Sequence, residues 1–102
     1  MTYSDKDFAR YTFGYWRDHP EEQESIVQEH VARIEQGIAV WNAFDQAFAD
    51  YLKANDIDDG FYGFYGAEFK EGVDLRGATF SGDTDFSKAK FRVLSQTFVK
   101  FK

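Results

Sequence analysis

Apolar residues in the first half of the chain recur at helical spacing. Between residues 27 and 52 the step from one to the next is always three or four, so they share one face of a helix. Pro20 suits the first turn of such a helix, and Gly37 is a point where it can break or bend. The pattern predicts a helix over about 20–53. Its apolar stripe consists of Val27, Val31, Ile34, Ile38, Trp41, Phe44, Phe48 and Leu52.

A shorter helix is predicted before this one. Ser4 is a suitable N-cap residue, and acidic residues follow in what would be the first turn. Phe8, Tyr11 and Tyr15 then follow at helical spacing. These features together predict a helix over about 5–17.

The apolar stripe has two interpretations. Several of its members are seven residues apart, which suits a coiled-coil seam and would make the chain a homodimer through residues 27–52. Asp45 interrupts the neighbouring line of that seam, and the seam is short. We therefore favour packing of the stripe in the chain's own core and keep the homodimer as the alternative.

Helical spacing ends near residue 60. The chain then carries pairs in which a small or β-branched residue is followed two positions later by a large one, so both lie on one face of an extended segment. Some pairs fall on odd-numbered positions and others on even-numbered positions, so in one long strand they would face opposite sides. This favours short extended pieces separated by turns. The large residues alternate between five and six positions apart. The pairs are Ala67/Phe69, Val73/Leu75, Ala78/Phe80, Thr84/Phe86 and Ala89/Phe91, with Tyr62/Phe64 as a possible earlier member.

This arrangement resembles the pentapeptide-repeat family, whose chain winds as a right-handed four-sided β-helix. The family has a large inward residue at the centre of each five and a small one two positions before it. Here the period is eleven where two repeats give ten, so a distorted coil and a bulged antiparallel sheet both stay open. The resemblance implies that the matching centres form a structural core: Phe69, Leu75, Phe80, Phe86 and Phe91.

We therefore expect an α+β fold that forms one compact unit. Residues 1–59 form an acidic α-helical segment, and residues 60–102 form a pentapeptide-repeat-like β segment, either a short β-helix or a bulged β-sheet. A repeat stack this short needs the helices to cover an open end. Alternation of apolar and polar residues at 97–102 predicts a terminal strand.

Motifs for catalysis and cofactor binding are missing from the sequence. It has no cysteine, and His19 and His30 do not stand at zinc-binding spacing, so we interpret both as solvated or hydrogen-bonded. The serines lack a nucleophile-elbow context, and no phosphate-binding glycine loop is present. Residues 56–60 are similar to the start of a calcium loop, but Ala67 stands where the loop needs a bidentate glutamate. The sequence predicts a protein that is not an enzyme and has no cofactor or metal.

Negative charge is concentrated in the helical half. The net charge is −6, and residues 1–59 hold 13 acids against 5 bases, while residues 60–102 hold 5 acids against 7 bases. Carboxylates three, four or seven positions apart on a helix lie roughly 5–10 Å apart, a spacing similar to that of phosphates along DNA. Solvation of an ordinary acidic face is the other interpretation. The candidate partner-binding residues are Asp18, Glu21, Glu22, Glu24, Glu29, Glu35, Tyr15 and Trp16, with Tyr3 as a further candidate anchor.

In kind, the chain resembles two groups of inhibitors: small acidic anti-CRISPR proteins of phages, and pentapeptide-repeat proteins that imitate DNA to block topoisomerases. The first resemblance implies a non-catalytic protein that binds a CRISPR effector complex, or another basic nucleic-acid-binding protein, and blocks DNA access. We prefer it because the repeat portion here is short and slightly basic, while most of the acids lie on the helices. The alternatives are a topoisomerase-directed DNA mimic and a structural module that forms a homodimer.

The expected environment is the cytoplasm, which would be that of a host bacterium if a phage encodes the protein. No apolar run approaches the roughly 20 residues that a membrane span needs, and the N-terminus lacks the pattern of a signal peptide. We expect neither membrane binding nor direct nucleic-acid binding, and either a monomer or a homodimer.

Overall fold

The computed structural model describes residues 4–70, 73 and 75–91, with only the backbone of residue 91. Within this part the chain has an α+β fold in which helices precede short strands. The helices are α1 (Asp5–Ala9), α2 (Phe13–Asp18), a 3-10 helix (Pro20–Glu22), α3 (Gln23–Glu35) and α4 (Ile38–Ala54). The strands are β1 (Phe61–Gly63), β2 (Glu68–Phe69), β3 (Asp83–Asp85) and β4 (Lys90–Phe91). No helix in the described ranges is long and apolar enough to cross a membrane.

The helix predicted over 5–17 is two helices, and pairing with a distant segment separates them. Thr12 forms an antiparallel bridge with Gly60, and the amide of Phe61 donates to the carbonyl of Tyr11 at 2.9 Å. The Thr12 side chain accepts from the amide of Tyr15, so α2 begins with its own cap. Because backbone groups at 11–13 pair with residues 59–61, they are not available for the hydrogen bonds of a continuous helix.

The helix predicted over 20–53 is also divided, at the residue that the sequence indicated. Gly37 has φ +118°, a conformation that side-chain-bearing residues rarely adopt, and it separates α3 from α4. Pro20 does begin a helical turn, but that turn is the 3-10 helix, and α3 begins at Gln23. The two long helices therefore pack as a pair.

The apolar stripe forms the core of the chain itself. Trp41, Phe44 and Phe48 are fully buried, and all other stripe residues except Ile38 are buried as well. They meet Phe8 and Tyr11 from the first helices and Tyr62 and Phe64 from the repeat segment. The interpretation as a core is confirmed, and the stripe presents no seam to a second copy.

The strands pair in parallel, so the antiparallel alternative is wrong. β1 pairs with β3 in the register 61 to 83, and β2 pairs with β4 in the register 68 to 90. Both registers join residues 22 positions apart, which is two of the eleven-residue periods in the sequence. Phe64 and Phe86, also 22 apart, stack with ring centroids 4.7 Å apart and an interplanar angle of 8°. Four alternating steps of five and six add up to 22 residues. A large residue of the repeat therefore lies beside the large residue two periods later, as Phe64 does beside Phe86.

The residues expected in the repeat core lie inside. Phe69 and Leu75 are buried, and Phe80 and Phe86 are partly buried against the main core. The side chain of Phe91 and the predicted strand at 97–102 lie outside the described residues.

Helix α4 holds the repeat segment through buried polar contacts. Asp45 is 3% exposed and accepts hydrogen bonds from the hydroxyl of Tyr62 (2.5 Å), the hydroxyl of Thr79 (3.0 Å), and both the amide (2.8 Å) and hydroxyl (2.7 Å) of Ser81. The indole of Trp41 donates to the carbonyl of Thr79 at 2.8 Å. Burial, together with the hydrogen bond to Asp45, raises the pKa of Tyr62. Asp45 interrupts the apolar stripe because its carboxylate joins α4 to the repeat segment.

His30 lies in the same core, so its interpretation as a solvated or hydrogen-bonded residue is wrong. The residue is fully buried, and neither ring nitrogen has a hydrogen-bond partner within the described part of the chain. Its ring packs against Tyr11 at 4.7 Å, Tyr62 at 5.3 Å and Trp41 at 5.9 Å between centroids. Burial lowers the pKa of His30 to about 3, so the imidazole is neutral in the fold.

Candidate functional site

A groove of about 480 Å³ runs between the helical half and the repeat segment. The helical half contributes residues of α2, the 3-10 helix and the first turns of α3, while the turn between β1 and β2 and the start of β2 contribute the remaining residues. We refer to it as the α/β groove. Its volume is within the range typical of ligand-binding clefts. It is lined by Trp16, Pro20, Gln23, Glu24, Val27, Gln28, Tyr65, Gly66 and Glu68.

Trp16 lines the α/β groove, and its ring packs against strand β1. A Cβ at position 63 would lie under 3.0 Å from three atoms of the Trp16 ring, so only glycine allows the indole to approach β1 this closely. The ring also contacts Phe61, with centroids 5.3 Å apart. The side-chain amide of Gln23 donates to the carbonyl of Trp16 at 2.8 Å and ties α2 to α3. Trp16 is therefore held in place by contacts within the chain.

Tyr65 also lines the α/β groove and is 52% exposed. It precedes Gly66, whose φ of +68° and amide hydrogen bond to the carbonyl of Ser87 (2.9 Å) define the turn. The neighbouring large residue of the repeat, Phe64, is fully buried, so the turn directs Tyr65 away from the core. An exposed tyrosine on an ordered turn is suited to act as a contact residue.

Two carboxylates complete the groove lining. Glu24 lies in the first turn of α3 and Glu68 lies on β2, and both side chains are exposed. Within the described residues neither forms a hydrogen bond or an ion pair, in contrast to several other acids of the helical half. The α/β groove therefore combines two aromatic side chains with two carboxylates that form no ion pair among the described residues, although Lys90 lies beside Glu68 in the register of β2 and β4.

Arg10 engages two of the carboxylates that the sequence assigned to a partner. Its guanidinium contacts both oxygens of Glu29 at 2.8 Å and one oxygen of Glu22 at 3.2 Å. The hydroxyls of Tyr11 and Tyr15 donate to Glu29 at 2.5 Å and to Glu22 at 2.6 Å. We call these five residues the Arg10 clamp. It joins the segment after α1 to α3, so Glu22, Glu29 and Tyr15 have a structural role within the chain.

The ionisation of the Arg10 clamp reflects these contacts. Burial alone would lower the pKa of Arg10, but the hydrogen bond and charge of Glu29 outweigh it and raise that pKa. Burial and the hydrogen bond to Glu29 raise the pKa of Tyr11 to about 12. The hydrogen bond from Tyr15 lowers the pKa of the Glu22 carboxyl. The clamp therefore pairs both carboxylates with a single guanidinium, which offsets only part of their combined negative charge.

The remaining candidate acids have different surroundings. Asp18 is exposed and pairs with the neighbouring Arg17 at 3.0 Å. Glu35 accepts a hydrogen bond from the amide of Lys70 at 3.1 Å and so contacts the repeat segment. Glu21 is exposed, with no hydrogen bond or ion pair among the described residues. Tyr3, the further candidate anchor, lies outside the described residues.

One group of side chains has the composition of a metal site. Potential ligand atoms of His19, Glu21 and Glu22 lie within 4.8 Å of one another. Glu22, however, already accepts from Tyr15 and from Arg10, whose positive charge disfavours a cation beside it. The ring of His19 stacks on Tyr15, and its Nδ1 lies 3.0 Å from the carbonyl of Tyr15. These contacts account for the group without a metal.

Sequence reasoning found part of the α/β groove. Trp16 and Glu24 were among the predicted partner-binding residues, and both line it. Tyr65 and Glu68 were missed because they follow from the register of the repeat, which brings the β1–β2 turn beside α3. A usable signal was present, since Tyr65 is a large aromatic outside the small-x-large pairs. Such a residue is not needed for the repeat core.

Comparison with known proteins supports the repeat segment. No curated protein and no solved structure matches the chain. Residues 64–95, about a third of the chain, match the family model described as pentapeptide repeats (9 copies). The matched range covers β2, β3 and β4 and the buried large residues between them. The C-terminal half of this α+β chain thus contains a segment similar to the pentapeptide repeats.

Proposed function

We propose that this protein is a non-catalytic inhibitor that binds a basic, nucleic-acid-binding protein and blocks its access to DNA. The observation that supports this proposal is the set of exposed carboxylates of Glu21, Glu24 and Glu68, which form no ion pair among the described residues. Two of them line a groove with aromatic walls. Aromatic anchors beside uncompensated charge are typical of protein interfaces with strong electrostatic complementarity.

The Arg10 clamp makes this surface smaller than the sequence predicted. Glu22 and Glu29 are paired with Arg10 inside the chain, so the contact surface moves toward the α/β groove and away from a long row along α3. A partner would meet it with the Lys and Arg side chains that otherwise hold phosphates. Such binding is steered by charge and weakens as salt rises.

A CRISPR effector complex is the first candidate partner, because the unpaired acids lie mainly on the helical half. A topoisomerase is the second, and the match of residues 64–95 to the pentapeptide repeats favours it. Both partners present basic DNA-binding surfaces, so the chemistry of the contact is the same. A direct assay with each purified partner separates them.

The test measures how the protein affects DNA binding by each partner. The double variant Glu21→Lys/Glu24→Lys is compared with Asp50→Lys/Asp58→Lys, which reverses two exposed acids outside the α/β groove. We expect the wild type to displace DNA from one of the partners, the first variant to be weaker by about tenfold or more, and the control to act like the wild type. Equal loss in both variants, or no displacement from either partner, would overturn the proposal.

A further inference from the structure

We infer that the α/β groove binds an arginine side chain, presented on a short basic segment of the partner; this inference rests on the proposed function. Two aromatic residues, Trp16 and Tyr65, line the groove, together with the carboxylates of Glu24 and Glu68. Aromatic faces attract cations through their quadrupole, and carboxylates pair with them directly. The lining therefore selects a positively charged occupant.

The chemistry of the lining favours arginine over lysine. A guanidinium is planar, so it can stack on an indole or phenol ring while its edge donates paired hydrogen bonds to a carboxylate. An ammonium is more strongly hydrated and offers neither the stacking face nor the fork. In the α/β groove, Trp16 and Tyr65 supply the aromatic rings, and Glu24 and Glu68, which form no hydrogen bond among the described residues, supply the carboxylates.

Preorganisation of Trp16 supports the same conclusion. The indole packs against Gly63 and Phe61, and Gln23 fixes its backbone, so little freedom is lost when a ligand contacts the ring. The groove volume of about 480 Å³ is larger than one side chain needs. The occupant is therefore a peptide segment that carries arginine.

The test uses a capped tripeptide, acetyl-Gly-Arg-Gly-amide, and its citrulline counterpart, which has the same shape and no charge. The chain has two tryptophans, so a proton–nitrogen NMR spectrum reports two indole signals. Trp41 is fully buried, and its indole N–H donates a hydrogen bond to the carbonyl of Thr79, so its signal serves as an internal reference. We expect the arginine peptide to shift the Trp16 signal in a saturable way, and the citrulline and lysine peptides to bind at least about tenfold more weakly.

Variants then locate the binding site. Glu24→Gln/Glu68→Gln and Tyr65→Ala change exposed side chains, so the fold is retained, and each should weaken the arginine peptide about tenfold. Asp50→Asn is the matched control and should bind as the wild type. Equal binding of the citrulline peptide, or unchanged binding by the groove variants, would overturn the inference.

This test is separable from the test of the proposed function. Arginine-peptide binding by a protein that displaces DNA from neither partner supports the groove assignment and contradicts the inhibitor role. DNA displacement that is sensitive to Glu21→Lys/Glu24→Lys, with no shift of Trp16 by the arginine peptide, supports the inhibitor role and overturns the groove assignment.

Discussion

Protonation of His30 should make the fold sensitive to mild acid. The folded pKa of about 3 lies below the ordinary value of 6.5, because burial and the positive charges of Arg33 and Arg10 oppose the charged imidazole. A depressed histidine pKa means that the unfolded chain binds more protons, so the stabilisation is present above pH 6.5 and is lost as pH falls. The free energy of unfolding falls by about 1.4 kcal/mol for each pH unit below 6.5, which gives about 2 kcal/mol between pH 7 and pH 5.

The perturbation that tests this is His30→Met. Methionine has similar volume, adapts to an aromatic cavity and cannot be protonated. We expect the free energy of unfolding of the wild type, measured with urea at pH 7 and pH 5, to fall by about 2 kcal/mol, while that of the variant changes far less. At pH 7 the variant should be at least as stable, because it removes two buried nitrogens that lack partners.

The comparison between the two proteins isolates His30 from other groups. Glu22 also contributes to acid sensitivity, since its pKa is lowered in the fold, but its contribution is lost only below the ordinary carboxyl pKa of 4.5. It is present in both proteins and cancels between them. An equal loss of stability in wild type and variant between pH 7 and pH 5 would refute the assignment of the acid sensitivity to His30.

Three further substitutions test the contacts that support the groove and the fold. Gly63→Ala should move the Trp16 ring and cost about 1–3 kcal/mol, seen as a changed indole NMR signal and a lower urea midpoint, whereas Gly66→Ala should leave that signal in place. Asp45→Ala should cost about 3 kcal/mol or more in urea unfolding, and more than Asp45→Asn, which keeps one acceptor oxygen. Arg10→Met should cost about 1–2 kcal/mol in the same assay, and high salt should reduce that difference.

The repeat segment shows how much of the fold can be predicted from the sequence. The steps of five and six correctly identified Phe69, Leu75, Phe80 and Phe86 as inward residues, and twice the period gives the 22-residue register of both strand pairs. The pattern left a parallel and an antiparallel arrangement open, because residues two apart share a face in either one. The identical register of two separate pairs, with Phe64 stacked on Phe86, is the additional information that the structure supplies.

The breaks in the helices were predictable to different degrees. Gly37 was identified because a residue without Cβ can adopt a positive φ and stop a helix. The break between α1 and α2 has no such signal, since the segment contains neither glycine nor proline. It exists because residues 59–61 pair with the backbone at 11–13, and such tertiary pairing overrides a local helical pattern.

The acidic surface shows why counting charges is insufficient for predicting a binding site. Glu22 and Glu29 are seven residues apart, and the sequence placed them correctly on one face of the helical region. That face meets Arg10, a single base from the segment between α1 and α2, which forms ion pairs with both. Glu24 lies between them in sequence but on a different side of α3, so it escapes the clamp and lines the α/β groove. The capacity to bind a cationic partner therefore depends on which carboxylates remain uncompensated after folding.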